Sequence, residues 1–398
     1  MSAPGCISAP GMGGDATPAD AGPVIAEPFR SPAALRAAFG AGLSRLLLDE
    51  PGIGPFILAL NNAAFDGDLR ERLGPELMRR FKALTADCRS ALRQGRDPDE
   101  PPDDLSVFLR LMAIGSTDLP AVQWRRIGPW EVQFNPLRGL RPARTAVGQP
   151  RSNRSPFDPH GFHFNKPFLR REAFWQGELA GVEVELLFNK FPFVDLHALL
   201  VPRRLENAPQ FLQRHQHEAA WAMTETLGRN LPGVGLAYNS FGAFASVNHL
   251  HFQLFLRREP LPLAAPGWRH NGGARPYPIA CATFESPGRA WDAIARLNEG
   301  GASYNLVYTP QRFYCIPRRR QGTYTPPAWC GGQAWYELAG GAVTLTADTF
   351  AALTPQDIYV AIGFEDLTDL VDEVVVIGCG VLVDGRAAPL GGRVVRRA

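Results

Sequence analysis

Polar and apolar residues alternate along His249-Leu250-His251-Phe252-Gln253-Leu254. A period of two is the mark of a half-buried strand, so a strand is expected over residues 248–255. On it His249, His251 and Gln253 share one face, and Leu250, Phe252 and Leu254 share the other. The apolar set can pack beneath a helix. The polar set must face a cleft, because three polar side chains on a buried face would each need a partner. Two imidazoles and an amide in a row suit one phosphoryl group: the central His251 reaches phosphorus and the flanking groups donate to its oxygens. A neutral imidazole is a competent nucleophile near pH 7, where a serine would need a separate base. Its phosphoramidate is labile enough to pass the group to a second acceptor.

The surroundings fit that use. The preceding loop, Asn239-Ser240-Phe241-Gly242-Ala243-Phe244-Ala245-Ser246, offers backbone donors and a glycine that allows close approach to phosphate. Strands are expected at 131–134, 181–188, 197–201 and 234–238. A helix is expected at 209–229, with Phe211, Leu212, Ala219, Met223 and Leu227 at helical spacing. The order strand, helix, strand, loop, strand predicts an α+β fold with an antiparallel sheet. A weaker second set, with strands at 304–308, 313–316 and 342–345 and a helix at 355–360, reads as a divergent second half without a residue-level repeat. Upstream lies a helical region over 28–125. It has a Ser31-Pro32 start signal, helices to about 48 and over 66–94, and an acidic, proline-rich loop at 97–104. Residues 1–27 carry too little apolar surface to offset their ordering entropy and are expected to be a disordered tail. The core spans 126–398.

Composition narrows the partners. The net charge of +2 on 398 residues lacks the basic excess of a nucleic-acid binder. The six cysteines form no Cys-x-x-Cys pair, which argues against zinc ribbons and disulfide frameworks. Neither a signal peptide nor a membrane span is legible, so a cytoplasmic protein without a membrane partner is expected. Its oligomeric state is not legible.

Two other readings of the His-x-His pair stand beside the nucleophile: structural histidines on a half-buried strand, and a metal site, for which no third ligand is near in sequence. Asn189, Lys190 and His197 are candidate nucleotide contacts. Lys166, Arg138 and Arg141 could neutralise phosphates, or be surface charges. His215 and His217, two apart on a helix, do not share a face and are taken as exposed. The run Arg318-Arg319-Arg320 reads as a solvated cluster, and Cys315 has no paired histidine. The glycine-bearing run 374–380 has too little chain after it for a dinucleotide-binding unit of roughly 30 residues.

At Tyr238-Asn239-Ser240-Phe241-Gly242-Ala243-Phe244-Ala245-Ser246-Val247-Asn248-His249-Leu250-His251-Phe252-Gln253 the chain resembles the histidine triad superfamily. The branch is the galactose-1-phosphate uridylyltransferase-like one, and within it the GDP-hexose phosphorylases. Gln133-Phe134-Asn135-Pro136-Leu137-Arg138, Pro156-Phe157-Asp158, Phe162-His163-Phe164-Asn165-Lys166 and Ala334-Trp335-Tyr336-Glu337 extend the resemblance over about 130–370. Leu187-Phe188-Asn189-Lys190-Phe191-Pro192, His197-Ala198-Leu199-Leu200-Val201-Pro202 and Tyr304-Asn305-Leu306-Val307-Tyr308-Thr309 look more like diadenosine tetraphosphate phosphorylases. Leu196, His163 and Asn165 depart from the pattern.

The resemblance implies a nucleotide substrate, inorganic phosphate as acceptor, His251 as nucleophile and Gln253 on the phosphoryl group. His249, Ser246, Asn248, Asn239 and Gly242 would help to bind the phosphates, and Lys190 or Lys166 would balance the leaving group. No cofactor or metal is implied. A hydrolase using water, or a nucleotide-binding protein without chemistry, would keep the same motif.

Overall fold

The computed structural model of the chain describes residues 27–115, 121–141, 153–330 and 332–363. Residues 1–26 of the expected tail and the run 374–380 lie outside these. The described part opens on four helices, α1 (Pro32–Asp49), α2 (Ile53–Ala63), α3 (Gly67–Arg93) and α4 (Pro102–Ile114). Ser31 caps α1, its hydroxyl accepting from the Ala34 N–H at 3.1 Å, and Pro32 takes the first helical position. Asp66 caps α3 through the Leu69 N–H at 3.0 Å. Helix α4 starts at Pro102, inside the stretch expected to be loop.

The next elements are β1 (Gln123–Ile127), β2 (Trp130–Phe134), β3 (Ala173–Leu179), β4 (Val182–Phe188), β5 (Ala198–Pro202), α5 (Arg214–Gly228), β6 (Val234–Asn239) and β7 (Phe252–Leu256). They are followed by β8 (Ala282–Phe284), α6 (Pro287–Glu299), β9 (Ser303–Tyr308), β10 (Phe313–Arg318), α7 (Trp335–Leu338), β11 (Gly341–Thr344), α8 (Ala347–Ala352) and α9 (Pro355–Gly363).

Eight strands form one sheet in the order β3-β4-β5-β7-β6-β9-β10-β8, every neighbouring pair antiparallel. The fold is α+β, as expected. Its two halves share one plan. The run β5-α5-β6-β7 is laid out as β5-β7-β6, and β8-α6-β9-β10 as β8-β10-β9. The two units meet through β6 and β9, with Leu236 opposite Tyr308 and Tyr238 opposite Leu306. The second copy is therefore visible in topology although no residues repeat. The units differ at the hairpin. Strands β9 and β10 join by a tight turn in which Thr309 and Arg312 exchange backbone hydrogen bonds. Strands β6 and β7 join by the long loop that carries the histidines. β11, expected with this second set, instead runs parallel to β2 in a separate three-stranded sheet.

Strands β6 and β9 are buried along their whole length. Leu236, Tyr238, Phe252, Leu254 and Leu306 pack with Ala220, Met223 and Leu227 of α5 and Ile294 and Leu297 of α6. Ala237, Phe255, Val307 and Ile316 pack on the opposite face with Trp130, Val132 and Trp335. At the entry to β6, Gly233 has φ +83°, and a Cβ there would stand 1.8 Å from the Arg257 carbonyl oxygen, so only glycine fits.

Three further expectations are corrected. The strand expected over 248–255 begins only at Phe252. Before that point the chain pairs with no strand among the described residues: the Leu250 N–H donates to Ala208 O at 2.8 Å, and the main chain of His251 is bound by a side chain, that of Gln210. The helix expected at 209–229 starts at Arg214; the segment before it is non-helical, bending at Gln210, and makes these contacts. His217, expected to be exposed, is buried. It lies on the inner face of α5 with Ala220, Met223, Thr224 and Leu227; its Nε2–H donates to Pro287 O at 3.1 Å and Tyr308 OH bonds its Nδ1 at 2.9 Å.

The N-terminal helices clasp one turn of the core. Asn61 and Asn62 donate to the carbonyls of Lys190 (2.7 Å) and Asn189 (2.9 Å), Arg36 pairs with Asp195 at 2.5 Å, and Lys190 pairs with Asp104 of α4 at 2.7 Å. Beside that last pair, burial raises the Glu172 carboxyl to about 7, with Lys190 opposing and Asp104 reinforcing the shift. A carboxyl whose folded pKa is raised disfavours folding once it ionises. Its contribution is fully favourable below the ordinary value of 4.5 and is lost as pH rises through 7. Glu172→Gln is therefore expected to stabilise the protein by about 1–2 kcal/mol at pH 8 and by nothing at pH 4.5, read from denaturant melts at both pH values.

Candidate functional site

The site is built where the β6–β7 loop returns to the sheet. His251 is buried, and its imidazole Nδ1 lies 2.8 Å from the carbonyl oxygen of His249. A carbonyl can only accept, so Nδ1 carries the proton and Nε2 keeps its lone pair. Burial lowers the His251 pKa to about 4, which leaves the ring neutral at pH 7. The ring is held through its main chain. Gln210 Oε1 accepts from the His251 N–H at 2.9 Å, while Gln210 Nε2 donates to His251 O at 3.1 Å and Asn239 O at 2.9 Å. Phe164 meets the imidazole edge to face at 5.2 Å.

His249 does not share this situation. Its Nδ1 accepts from the Phe164 N–H at 3.1 Å and its Nε2–H donates to Arg204 O at 3.0 Å, so both nitrogens are occupied by backbone. Burial, then the neighbouring His251, lowers its pKa to about 4. Asn248 is likewise engaged: Oδ1 accepts from Gln210 N–H, and Nδ2 donates to Ser155 O and Pro156 O. These two side chains pin the segment 155–164 against the nucleophile's loop.

Gln253, on β7, lies beside two donors. Its Oε1 is 2.7 Å from Trp335 Nε1 and 2.9 Å from His197 Nε2. His197 is fully buried, and burial lowers its pKa to about 3, with Gln253 opposing the shift and Arg138 and His251 adding to it. Asn189 stands 3.4 Å from the same His197 nitrogen and accepts from the Phe191 N–H.

Leu196, just before His197, has φ +49°, in the region that favours glycine. Its side chain is buried in the same apolar cluster as the N-terminal helices, which offsets a backbone cost of about 1–2 kcal/mol. The Asn189–His197 turn is thus held by the helical layer, and Lys190 is committed to Asp104 there.

Arg138 donates to Phe191 O at 2.7 Å and lies 4.5 Å over the Phe193 ring, which itself meets His197 at 4.4 Å. It forms no salt bridge among the described residues, and burial lowers its pKa against the charge of Glu337. Lys166 is half-buried and also has no ion pair among the described residues. Asn239 Oδ1 accepts from Asn305 Nδ2 (2.6 Å) and the Trp335 N–H (3.2 Å), leaving its buried Nδ2 as an unused donor. Gly242 has φ +97°, and its carbonyl accepts from the Gln321 N–H at 2.7 Å. Ser246 is exposed on the same loop. Among the described residues no group of three or more His, Cys, Asp or Glu is placed to hold a metal.

The structure therefore gathers His251, Gln253, His197, Asn189, Asn239 and Arg138 around one centre. Gln210, Trp335 and Phe193 belong to it too. No motif around Gln210 signals its role; Trp335 stood only within a resembling block.

A neutral, main-chain-clamped imidazole thus stands beside an oriented amide on one hairpin of a two-unit antiparallel sheet. Comparison with known proteins gives the particular relatives. Residues 130–255 match the sequence profile of a family described as "GDPGP1-like, N-terminal domain". Human GDP-D-glucose phosphorylase 1 is 36% identical over 141 residues, which are 33% of this chain and 35% of that protein. GDP-L-galactose phosphorylase 1 of Arabidopsis thaliana is 42% identical over 75 residues, 19% of this chain and 16% of that protein. The matches thus span about a third or less of these relatives. Among solved structures, the yeast Ap4A phosphorylase Apa2 aligns with a TM-score of 0.43 at 16% identity, over 67% of this chain and 96% of that one. The resemblance to GDP-hexose phosphorylases read from residues 238–253 holds in these comparisons.

Proposed function

We propose that the chain is a nucleotidyltransferase that phosphorolyses a GDP-hexose. His251 Nε2 attacks the α-phosphorus, a P–N bond forms, and the bond from that phosphorus to the bridging oxygen breaks, its electron pair leaving with hexose 1-phosphate. An oxygen of inorganic phosphate then attacks the same phosphorus, the P–N bond breaks, and GDP leaves. The observation that carries this reading is the tautomer of His251: with Nδ1–H on the His249 carbonyl, Nε2 is the nucleophilic atom, and the same hydrogen bond stabilises the cationic ring of the intermediate. Gln253 donates to a non-bridging oxygen, and Arg138, free of carboxylate partners among the described residues, offers charge for the incoming phosphate or the leaving group.

His249 and Asn248 support the site from behind, holding segment 155–164. Gly242 and Ser246 are assigned to the phosphate-facing loop, and Lys166 to the leaving group in place of the ion-paired Lys190. Cys88, Cys281, Cys315 and Cys330 are not joined in disulfides, which supports a cytoplasmic setting, and no described helix is long and apolar enough to cross a membrane.

Release of hexose 1-phosphate and GDP from GDP-glucose or GDP-L-galactose, dependent on added phosphate, is the expected result. Equal turnover without phosphate would select a hydrolase, and preference for diadenosine tetraphosphate would change the base. The acid limb of kcat/KM is expected near pH 4–5, not at 6.5, because His251 stays neutral down to about 4. The fold itself weakens over the same range. Buried histidines with lowered pKa contribute stability that is present above 6.5 and lost as pH falls through 4. Circular dichroism at each pH separates the two effects.

A further inference from the structure

We infer that Trp335 is the positioning residue that sets which end of the Gln253 amide faces the substrate. The inference rests on the proposed role of Gln253 as a donor to the transferred phosphoryl group. A glutamine amide has one accepting and one donating end of nearly equal shape. Turned by 180°, Gln253 would present a carbonyl to a phosphoryl oxygen and repel it.

Its two neighbours do not constrain it equally. His197 favours the same end but less firmly: its Nδ1 accepts from the Phe193 N–H at a long 3.4 Å, which places the proton on Nε2, whereas a ring that gave up this bond could offer a bare Nε2 to the amide nitrogen. The indole Nε1–H of Trp335 only donates. At 2.7 Å it requires the oxygen, and His197 must then carry its proton on Nε2, 2.9 Å away. With Oε1 taken by both donors, the Gln253 NH2 group has no partner among the described residues and is left for the ligand.

The tryptophan is itself immobile. It is fully buried, stacks on Phe255 at 4.8 Å, and its backbone N–H donates to Asn239 at 3.2 Å. It lies outside residues 130–255, so the second half of the chain orients a residue of the first.

Trp335→Phe keeps a ring on Phe255 and removes the directing N–H. Loss of one correctly aimed donor is expected to lower kcat roughly 10–100-fold, with KM changed less than about threefold. The decisive comparison is a double-mutant cycle with Gln253→Ala: once the amide is gone, Trp335→Phe is expected to have no further effect. Gln253→Glu, which still accepts from both donors but has no NH2, is expected to be as impaired as Gln253→Ala, and it tests the polarity without disturbing Trp335.

The cycle is read in kcat and also in the Kd of GMP. A wild-type protein inactive on GDP-hexoses would then sink the proposed reaction, while the binding cycle still decides the role of Trp335. Full kcat in Trp335→Phe, independent multiplying losses, or an active Gln253→Glu would each overturn the inference.

Discussion

The His251→Ala protein is expected to fold and to lose at least about 10⁴-fold in turnover of GDP-hexose. The two halves of that expectation come from different contacts. His251 contributes little to the surrounding packing that its own backbone does not already secure: Gln210 binds its N–H and C=O, and neither bond involves the imidazole. The substitution leaves one carbonyl, that of His249, without its donor and opens a small cavity, together about 1–3 kcal/mol. Catalysis loses the atom that bonds to phosphorus. His249 cannot replace it, because both its nitrogens are engaged with backbone and its charge state is set by the same burial. A steady-state assay together with a thermal melt checks both parts.

Gln210→Leu should have the second-largest effect, and should act on stability and rate at once. The side chain is fully buried and makes three hydrogen bonds to main-chain atoms of two separate elements, His251 on the loop and Asn239 at the end of β6. Leucine fills similar space and satisfies none of them. Three buried backbone groups left unpaired destabilise the fold by about 2–5 kcal/mol. The nucleophile's main chain also loses its tether, and a displacement approaching 1 Å lowers kcat by about 10²-fold. Denaturant melts and single-turnover rates under folding conditions separate the two. A variant that is destabilised but reacts at the wild-type rate would show that Gln210 supports the loop without placing the ring.

The contrast between His251 and Gln210 also shows what could be read from the sequence. His251 and Gln253 stand in a short motif whose residue types carry their chemistry, and Ser31-Pro32 and the run at 181–188 carry their own local signals. Gln210 has none. It stands far from His251 in sequence, in a segment whose apolar pattern reads as helix, and its role exists only because the chain there is not helical and runs beside the loop.

For the same reason the alternation at 249–254 overstated the strand. Period two describes which residues are buried, and here both parities are buried: Leu250 and Phe252 against one neighbour set, His249 and His251 against another. His217 was misjudged because pairing it with His215 hid its place on the apolar face of α5. The second unit escaped residue comparison because topology, not side chains, is what it retains.

The central claim is that His251 forms a covalent nucleotidyl intermediate, and intact-protein mass spectrometry tests it most directly. Purified protein is mixed with GDP-glucose or GDP-L-galactose without phosphate, and quenched rapidly. The account predicts an adduct of GMP mass that disappears on adding phosphate, with release of GDP, and that never forms on His251→Ala. Phosphate-dependent turnover that persists in His251→Ala, with no adduct on the wild-type protein at any quench time, would contradict it.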